Sequence, residues 1–145
     1  MSIRIRVSAV VIQENKLLLV NHQKDNLSYW LLPGGGVEHS ETLHEALIRE
    51  IREEVSLDIE PQDLLFVCES ITPGGRHVLH IAFKVQLKNG ELKVNPDERL
   101  KDAGFFDGEQ LQQLTIYPDI KNLLLEILQK GGETGGPVYL GNLWH

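Results

Sequence analysis

Apolar and polar residues alternate at the start of the chain, over residues 3–12. This two-residue period is typical of a β-strand with one buried face. Five apolar residues form that face: Ile3, Ile5, Val7, Ala9 and Val11. A polar stretch at 13–16 separates this segment from an apolar run at 17–22, so the two together predict a β-hairpin. A polar loop is predicted to follow at 23–28.

Hydrophobic runs predict further strands and helices along the rest of the chain. Turns that contain glycine separate the predicted strands. These strands cover residues 29–32, 64–70, 76–87 and the start of 102–114, a segment that ends in a helical turn. An amphipathic helix is predicted at 117–130, because apolar residues recur there at helical spacing: Ile120, Leu123, Leu124, Ile127 and Leu128.

Another helix is predicted directly after the glycines at 34–36, which we interpret as a tight turn. Strands outnumber helices, and this helix falls between the third and the fourth predicted strand. That order favours an α/β fold, a three-layer sandwich in which helices cover both faces of a mixed β-sheet.

The length of 145 residues suits one domain. We assign residues 1–130 to that domain and residues 131–145 to a glycine-rich spacer with an apolar tail. The tail is expected to dock on its own domain or on a second copy of the chain, which would make a homodimer.

The net charge is −7, from 14 basic and 21 acidic residues, and it argues against nucleic acid or an anionic membrane as a partner. No apolar run approaches the roughly 18 residues that suggest a membrane span. Cys68 is the only cysteine, so no internal disulfide can form, and we expect a cytoplasmic protein.

Three glutamates lie close together on the helix that follows the glycines. Glu50, Glu53 and Glu54 fall at positions i, i+3 and i+4 and therefore share one stripe, separate from the apolar stripe of the same helix. A solvated acidic face is the simpler interpretation. Clustered carboxylates are also the hard oxygen ligands that suit Mg²⁺ or Mn²⁺, whose charge would remove their mutual repulsion.

Residues 35–57 resemble the Nudix box, G-x5-E-x7-R-E-U-x-E-E-x-G-U with U apolar. Gly35 and Glu41 occupy the first two fixed positions, and the sequence REIREEVSL at 49–57 supplies the others. One position departs from the pattern, because Ser56 stands where the family has glycine. That position ends the helix and is expected to require a positive φ, which costs serine on the order of 1 kcal/mol.

The resemblance implies a Nudix fold and a hydrolase that uses Mg²⁺ or Mn²⁺ to cleave the diphosphate of a nucleoside diphosphate linked to another moiety. ADP-ribose and an oxidised nucleoside triphosphate are the first two substrate candidates. It implies metal ligands, which we assign to Gly35 (through its carbonyl), Glu50, Glu53 and Glu54. It also implies catalytic residues, which we assign to Glu50, Glu53, Arg49 and Glu98. Arg49 is expected to orient Glu41 or Glu53, and either Glu50 or the later Glu98 is expected to act as general base.

Substrate contacts are expected from basic and aromatic side chains: Arg6, Arg76, His77 and Tyr29. Two other functions stay open at this point. The chain could be a non-catalytic nucleotide-binding module, or an interaction protein that uses its acidic helix face.

Overall fold

The computed structural model describes residues 2–95 and 100–143, which form nine strands and three helices. The strands are β1 (Ile3–Val10), β2 (Ile12–Gln13), β3 (Lys16–Lys24), β4 (Leu27–Leu31), β5 (Gly34–Gly36), β6 (Asp58–Ile71), β7 (His77–Asn89), β8 (Leu100–Phe106) and β9 (Val138–Asn142). The helices are α1 (Leu43–Val55), α2 (Gly108–Gln112) and α3 (Lys121–Gln129). None of these described helices is long and apolar enough to cross a membrane.

The larger sheet is mixed and has the strand order β5-β1-β7-β6-β9. β1 runs parallel to β7, and β9 runs parallel to β6, whereas β5 and β6 are antiparallel to β1 and β7. In the smaller sheet β3 pairs antiparallel with β2, β4 and β8.

Helices lie on both sides of the larger sheet. Leu47 and Ile51 of α1 belong to one core cluster together with Val7 of β1. Leu124 of α3 belongs to a second cluster, with Phe66 of β6. The α/β class and the mixed sheet between helices are therefore confirmed.

The predicted hairpin between residues 3–12 and 17–22 is wrong in its pairing. β1 pairs with β5 and β7 in the larger sheet, and the short β2 forms the hairpin with β3. Val10 and Val11 are both fully buried, so the second half of this segment is covered on both faces and the alternation ends. The turn of the actual hairpin uses Glu14 and Asn15, both with positive φ.

The predicted loop at 23–28 is also wrong, because strands continue through most of it. β3 extends to Lys24 and β4 begins at Leu27, so only Asp25 and Asn26 turn the chain. Their φ angles are 51° and 67°, a left-handed conformation that Asp and Asn adopt more readily than most residues. The predicted loop is too long because most residues at 23–28 are polar, including most of those that belong to the strands.

The three glycines form strand β5 instead of the predicted turn. Gly34, Gly35 and Gly36 lie opposite Ser8, Val7 and Arg6 of β1. The glycines are therefore fixed against the larger sheet, directly before the loop that leads into α1.

The tail docks on its own domain as edge strand β9, which is one of the two outcomes that the sequence predicts. Leu140 and Leu143 pack against the core on the α3 side. Val138 and Tyr139 remain 43% and 64% exposed, and the Tyr139 hydroxyl donates to the carboxylate of Glu69 in β6. The homodimer stays a prediction.

Candidate active site

Helix α1 begins with a reciprocal cap that fixes the register of its carboxylates. The Thr42 hydroxyl accepts a hydrogen bond from the Glu45 amide, and the Glu45 carboxylate accepts one from the Thr42 amide. Ile51 and Val55 of the apolar stripe are fully buried. The opposite stripe of the helix is therefore left to present its glutamates.

Strand β5 brings backbone close to these glutamates. A Cβ atom at Gly35 would lie 2.2 Å from Oε2 of Glu50, so no larger residue fits there without moving that carboxylate. The Gly34 amide donates a hydrogen bond of 3.1 Å to Oε1 of Glu54. The glycines of the box thus allow the backbone of β5 to lie close to the glutamates of α1.

Arg49 lies at the centre of the carboxylates. Its Nε and Nη2 donate to Glu41 at 2.6 and 2.8 Å, and Nη2 also donates to the Gly36 carbonyl at 3.1 Å. Its Nη1 lies 2.8 Å from Oε1 of Glu50 and 3.3 Å from Oε2 of Glu53. These contacts raise the pKa of Arg49, and hydrogen bonding to Arg49 lowers the pKa of Glu41 to about 2.

The donor set suits a hard divalent cation. Glu50 and Glu53 already share one cationic nitrogen, Nη1 of Arg49, so both carboxylates reach a common positive centre. The carboxylate of Glu54 accepts from Gly34 instead, and within residues 2–95 and 100–143 no three acidic, His or Cys side chains converge as a ready metal cluster. A shared ion would therefore require small rotations of glutamates whose backbone is already in place.

Arg6 of β1 lies beside the same carboxylates and contacts the residue that follows β4. Its Nη2 donates to the Leu32 carbonyl at 2.9 Å. Burial lowers the pKa of Arg6, and the nearby Glu54 and Glu50 oppose that shift. Arg4 lies next to Gly36, where an added Cβ would be 3.2 Å from its Nη2. Two positive side chains thus follow β1 at the edge of the acidic cluster.

A small recess of about 10 Å³, with room for about one water molecule, opens beside Arg6 and is lined by polar, aromatic and aliphatic side chains. Burial, with a smaller contribution from Arg6, lowers the pKa of His80 to about 4, so this imidazole is neutral at pH 7. The Tyr117 hydroxyl donates to Oγ of Ser70, which is 3.0 Å from Nε2 of His80. The Tyr117 ring meets the Tyr29 ring edge-on at 5.6 Å. This recess offers hydrogen bonds and aromatic surface next to a cation.

The structure brings most of the predicted site together but places two of the predicted residues, Arg76 and His77, elsewhere. Arg76 is exposed in the turn between β6 and β7. Nε2 of His77 contacts Oε1 of Glu69 at 2.9 Å, whereas His80, three residues on, contacts Ser70, as expected for opposite faces of a strand. Glu98 lies outside the described residues, so its role stays a prediction.

No local sequence pattern points to Tyr117 or Ser70, because their positions depend on tertiary contacts. Tyr117 reaches the recess only because residues 115–117 pair with Trp30 of β4. The alternation of β1 and its pairing with β7, had that partner been known, would have placed His80 beside Arg6.

Comparison with known proteins agrees with this geometry. The model of the NUDIX domain matches residues 2–127, so the chain belongs to the Nudix hydrolase family. An ADP-ribose pyrophosphatase of Methanocaldococcus jannaschii is 38% identical over 77% of this chain and 66% of its own length. A NAD-capped RNA hydrolase NudC of Pectobacterium carotovorum is 33% identical over 77% of this chain and 41% of its own length.

The chain thus spans two thirds or less of the length of these two relatives, and each has sequence that it does not match. Among solved structures, a MutT NUDIX hydrolase from Burkholderia pseudomallei superposes with a TM-score of 0.75. It is 26% identical, and the match covers 87% of this chain and 98% of that one. Nudix hydrolases generally depend on divalent metal ions.

Proposed function

We propose that this chain is a divalent-metal-dependent pyrophosphohydrolase that cleaves the diphosphate of a nucleoside diphosphate linked to another moiety. One observation carries the proposal: Glu50 and Glu53 flank a single cationic nitrogen while the backbone of Gly35 is pressed against Glu50. An acidic face that was only solvated would not need a glycine at that contact.

The donor set fits Mg²⁺ or Mn²⁺, which Glu50, Glu53, Glu54 and the Gly35 carbonyl would hold. When bound, such an ion neutralises charge on the non-bridging phosphate oxygens. Side chains of the protein itself would take the other roles. Arg49 holds Glu41 and the glutamates in position, and Glu50 or Glu98 accepts the proton of the attacking water.

Positive side chains must receive the substrate phosphates, because the protein as a whole carries a charge of −7. Arg6 and Arg4 are best placed for this, since they lie beside the acidic cluster. Tyr29, which meets the Tyr117 ring edge-on and lies near Arg6, offers aromatic surface for a base or sugar. Arg76 lies in the turn before β7 and His77 is the first residue of β7, opposite Ile3, so both would touch only a longer substrate.

Hydrolysis would split the diphosphate bond and release two phosphorylated products. A sugar nucleotide such as ADP-ribose is the first substrate candidate, supported by the name of the archaeal relative. An oxidised nucleoside triphosphate is the second. The NudC relative bears the name of an RNA hydrolase, so NAD-capped RNA is a third arm of the test, although the net charge disfavours RNA.

The test is a panel of these substrates with millimolar Mg²⁺, with EDTA as the metal-free control. Release of monophosphate products is measured for the wild type and for Glu50→Gln. We expect metal-dependent release from at least one substrate and a large loss in the variant. No release from any substrate, in a protein that still binds Mn²⁺ and nucleotide, would favour the non-catalytic nucleotide-binding module. Binding to neither would favour an interaction protein with an acidic helix face.

A further inference from the structure

Two of the proposed metal ligands lie at the C-terminal end of α1, where a carboxylate is electrostatically unfavourable. Glu53 and Glu54 lie in the last turn, which ends at Val55. The last four carbonyls of a helix have no partner within it, and the negative end of the helix dipole repels carboxylates there. Such a turn frays unless other groups hold it, and fraying would move both carboxylates.

All four of these carbonyls accept a hydrogen bond. The Arg52 carbonyl accepts from the Ser56 amide at 3.1 Å. The other three accept from residues 93–95, which we name the cap segment. The Lys93 amide donates to the Val55 carbonyl at 3.0 Å, and the Asn95 amide donates to the Glu54 carbonyl at 3.1 Å.

The side chain of Asn95 completes the set. Its Nδ2 donates to the Glu53 carbonyl at 2.5 Å and lies 3.4 Å from Oγ of Ser56. Asn95 thus bonds to the backbone of both Glu53 and Glu54, through its side chain and its own amide. No other side chain among the described residues is shown to donate to these two carbonyls.

Ser56, the C-cap residue of α1, also makes a hydrogen bond to the cap segment. It has a φ of 64°, in the left-handed region that disfavours a residue with a Cβ relative to glycine. Its hydroxyl donates to the Lys93 carbonyl at 3.1 Å, a bond that glycine could not make. The departure from the family pattern therefore adds a contact to the cap segment.

We propose that Asn95 is a positioning residue for the metal site, assisted by Ser56. It touches neither substrate nor ion, and it acts by holding the last turn of α1 so that the Glu53 and Glu54 carboxylates stay in register with Gly35 and Glu50. This inference rests on the proposed function for its metal, whereas the cap itself exists without one.

The test compares Asn95→Asp with Asn142→Ala. Asp keeps the shape of Asn but cannot donate to the Glu53 carbonyl, and it adds a negative charge at the wrong end of the helix. Asn142 is the control, because it also bonds through its side chain to a backbone group, the Ile71 amide, but it lies in β9 and far along the chain from α1.

Two readouts are used. Amide hydrogen exchange reports the order of residues 53–56 without metal, and Mn²⁺ affinity measured by electron paramagnetic resonance reports the ligand arrangement without substrate. In Asn95→Asp we expect faster exchange at 53–56 and about tenfold weaker Mn²⁺ binding, the low end for a residue that supports a metal ligand. Turnover should lose kcat more than it changes KM. Asn142→Ala should keep wild-type values in both readouts.

Ser56→Ala is the milder second variant, which keeps the test valid if Asn95→Asp folds poorly. It should shift exchange and Mn²⁺ affinity in the same direction by a smaller factor. Unchanged exchange and unchanged Mn²⁺ affinity in the Asn95 and Ser56 variants would overturn the inference. If the wild type itself binds no Mn²⁺, the proposed function fails and this role of Asn95 fails with it, even where exchange shows that the cap orders the helix.

Discussion

Arg49 donates two hydrogen bonds to the Glu41 carboxylate, through Nε at 2.6 Å and through Nη2 at 2.8 Å. This pair ties α1 to the loop before it. It also fixes the guanidinium so that Nη1 faces Glu50 and Glu53. Of the two partners expected for Arg49, both are therefore present, and Glu41 is the one held by two bonds.

The first prediction concerns the acid stability of this pair. Hydrogen bonding to Arg49 lowers the pKa of Glu41 to about 2, below its usual value of roughly 4.3. A lowered pKa in the folded state contributes stability that is present above roughly pH 4.3 and is lost as pH falls toward 2. The Glu41→Gln variant should unfold at lower urea concentration than the wild type at pH 6, and the difference should shrink by pH 3.

Glu126→Gln is the matched control for that experiment. Glu126 also pairs with a cation, Lys130, but both side chains are 56% exposed, and such surface pairs contribute little. Its unfolding midpoint should follow the wild type at each pH. If the difference in unfolding midpoint between wild type and Glu41→Gln stayed the same from pH 6 to pH 3, the role assigned to the ionised Glu41 would be contradicted.

The second prediction tests the close contact at Gly35. In Gly35→Ala the new methyl group would overlap Oε2 of Glu50, at a separation of 2.2 Å, so the carboxylate must move. A shift of about 1 Å in a catalytic group can lower turnover by about 100-fold, and we expect a loss of that size in kcat. Gly135→Ala is the control, since nothing lies within 4 Å of a Cβ at that position. Equal kcat values for the two variants would show that turnover does not depend on the present position of the Glu50 carboxylate.

The sequence predicted the local geometry of the candidate site better than its tertiary contacts. The helical spacing of Glu50, Glu53 and Glu54 depends only on local geometry, as does the positive φ at Ser56, which the structure confirms at 64°. The partner of β1 does not depend on local geometry, so alternation alone paired it with the wrong strand. The contacts of Asn95 and Tyr117 join residues more than 40 positions apart, and no local pattern signals them.

The third prediction concerns the tail. Truncation after Lys130 removes β9 and uncovers the edge of β6, together with the core contacts of Leu140 and Leu143. We expect a lower melting temperature, with activity retained, because residues 1–130 contain every proposed site residue. Val138→Ser is the control: its side chain is 43% exposed, and the backbone pairing of β9 survives. The same samples, examined by mass in solution, test the predicted homodimer. An unchanged melting temperature after truncation would contradict the docked strand.

The fourth prediction is that Glu53→Gln abolishes most activity while the fold remains intact. Glu53 is 61% exposed and its one described side-chain partner is Nη1 of Arg49 at 3.3 Å, so packing does not depend on its charge. Gln keeps the size of the side chain but loses an anionic ligand. We expect kcat to fall by roughly two to four orders of magnitude, or about 3–5 kcal/mol of transition-state stabilisation.

The measurement is kcat and KM at saturating Mg²⁺ on the substrate that the panel yields, with circular dichroism to confirm folding. Glu60→Gln, an exposed glutamate of β6, serves as the charge-matched control and should keep wild-type turnover. Glu98→Gln should lose activity only if that residue supplies the base or a ligand. This variant therefore tests whether a residue outside the Nudix box takes part in catalysis. Near-normal turnover in folded Glu53→Gln would mean that the clustered glutamates are a solvated face, because a catalytic ion cannot lose an anionic ligand without a cost to the reaction it supports.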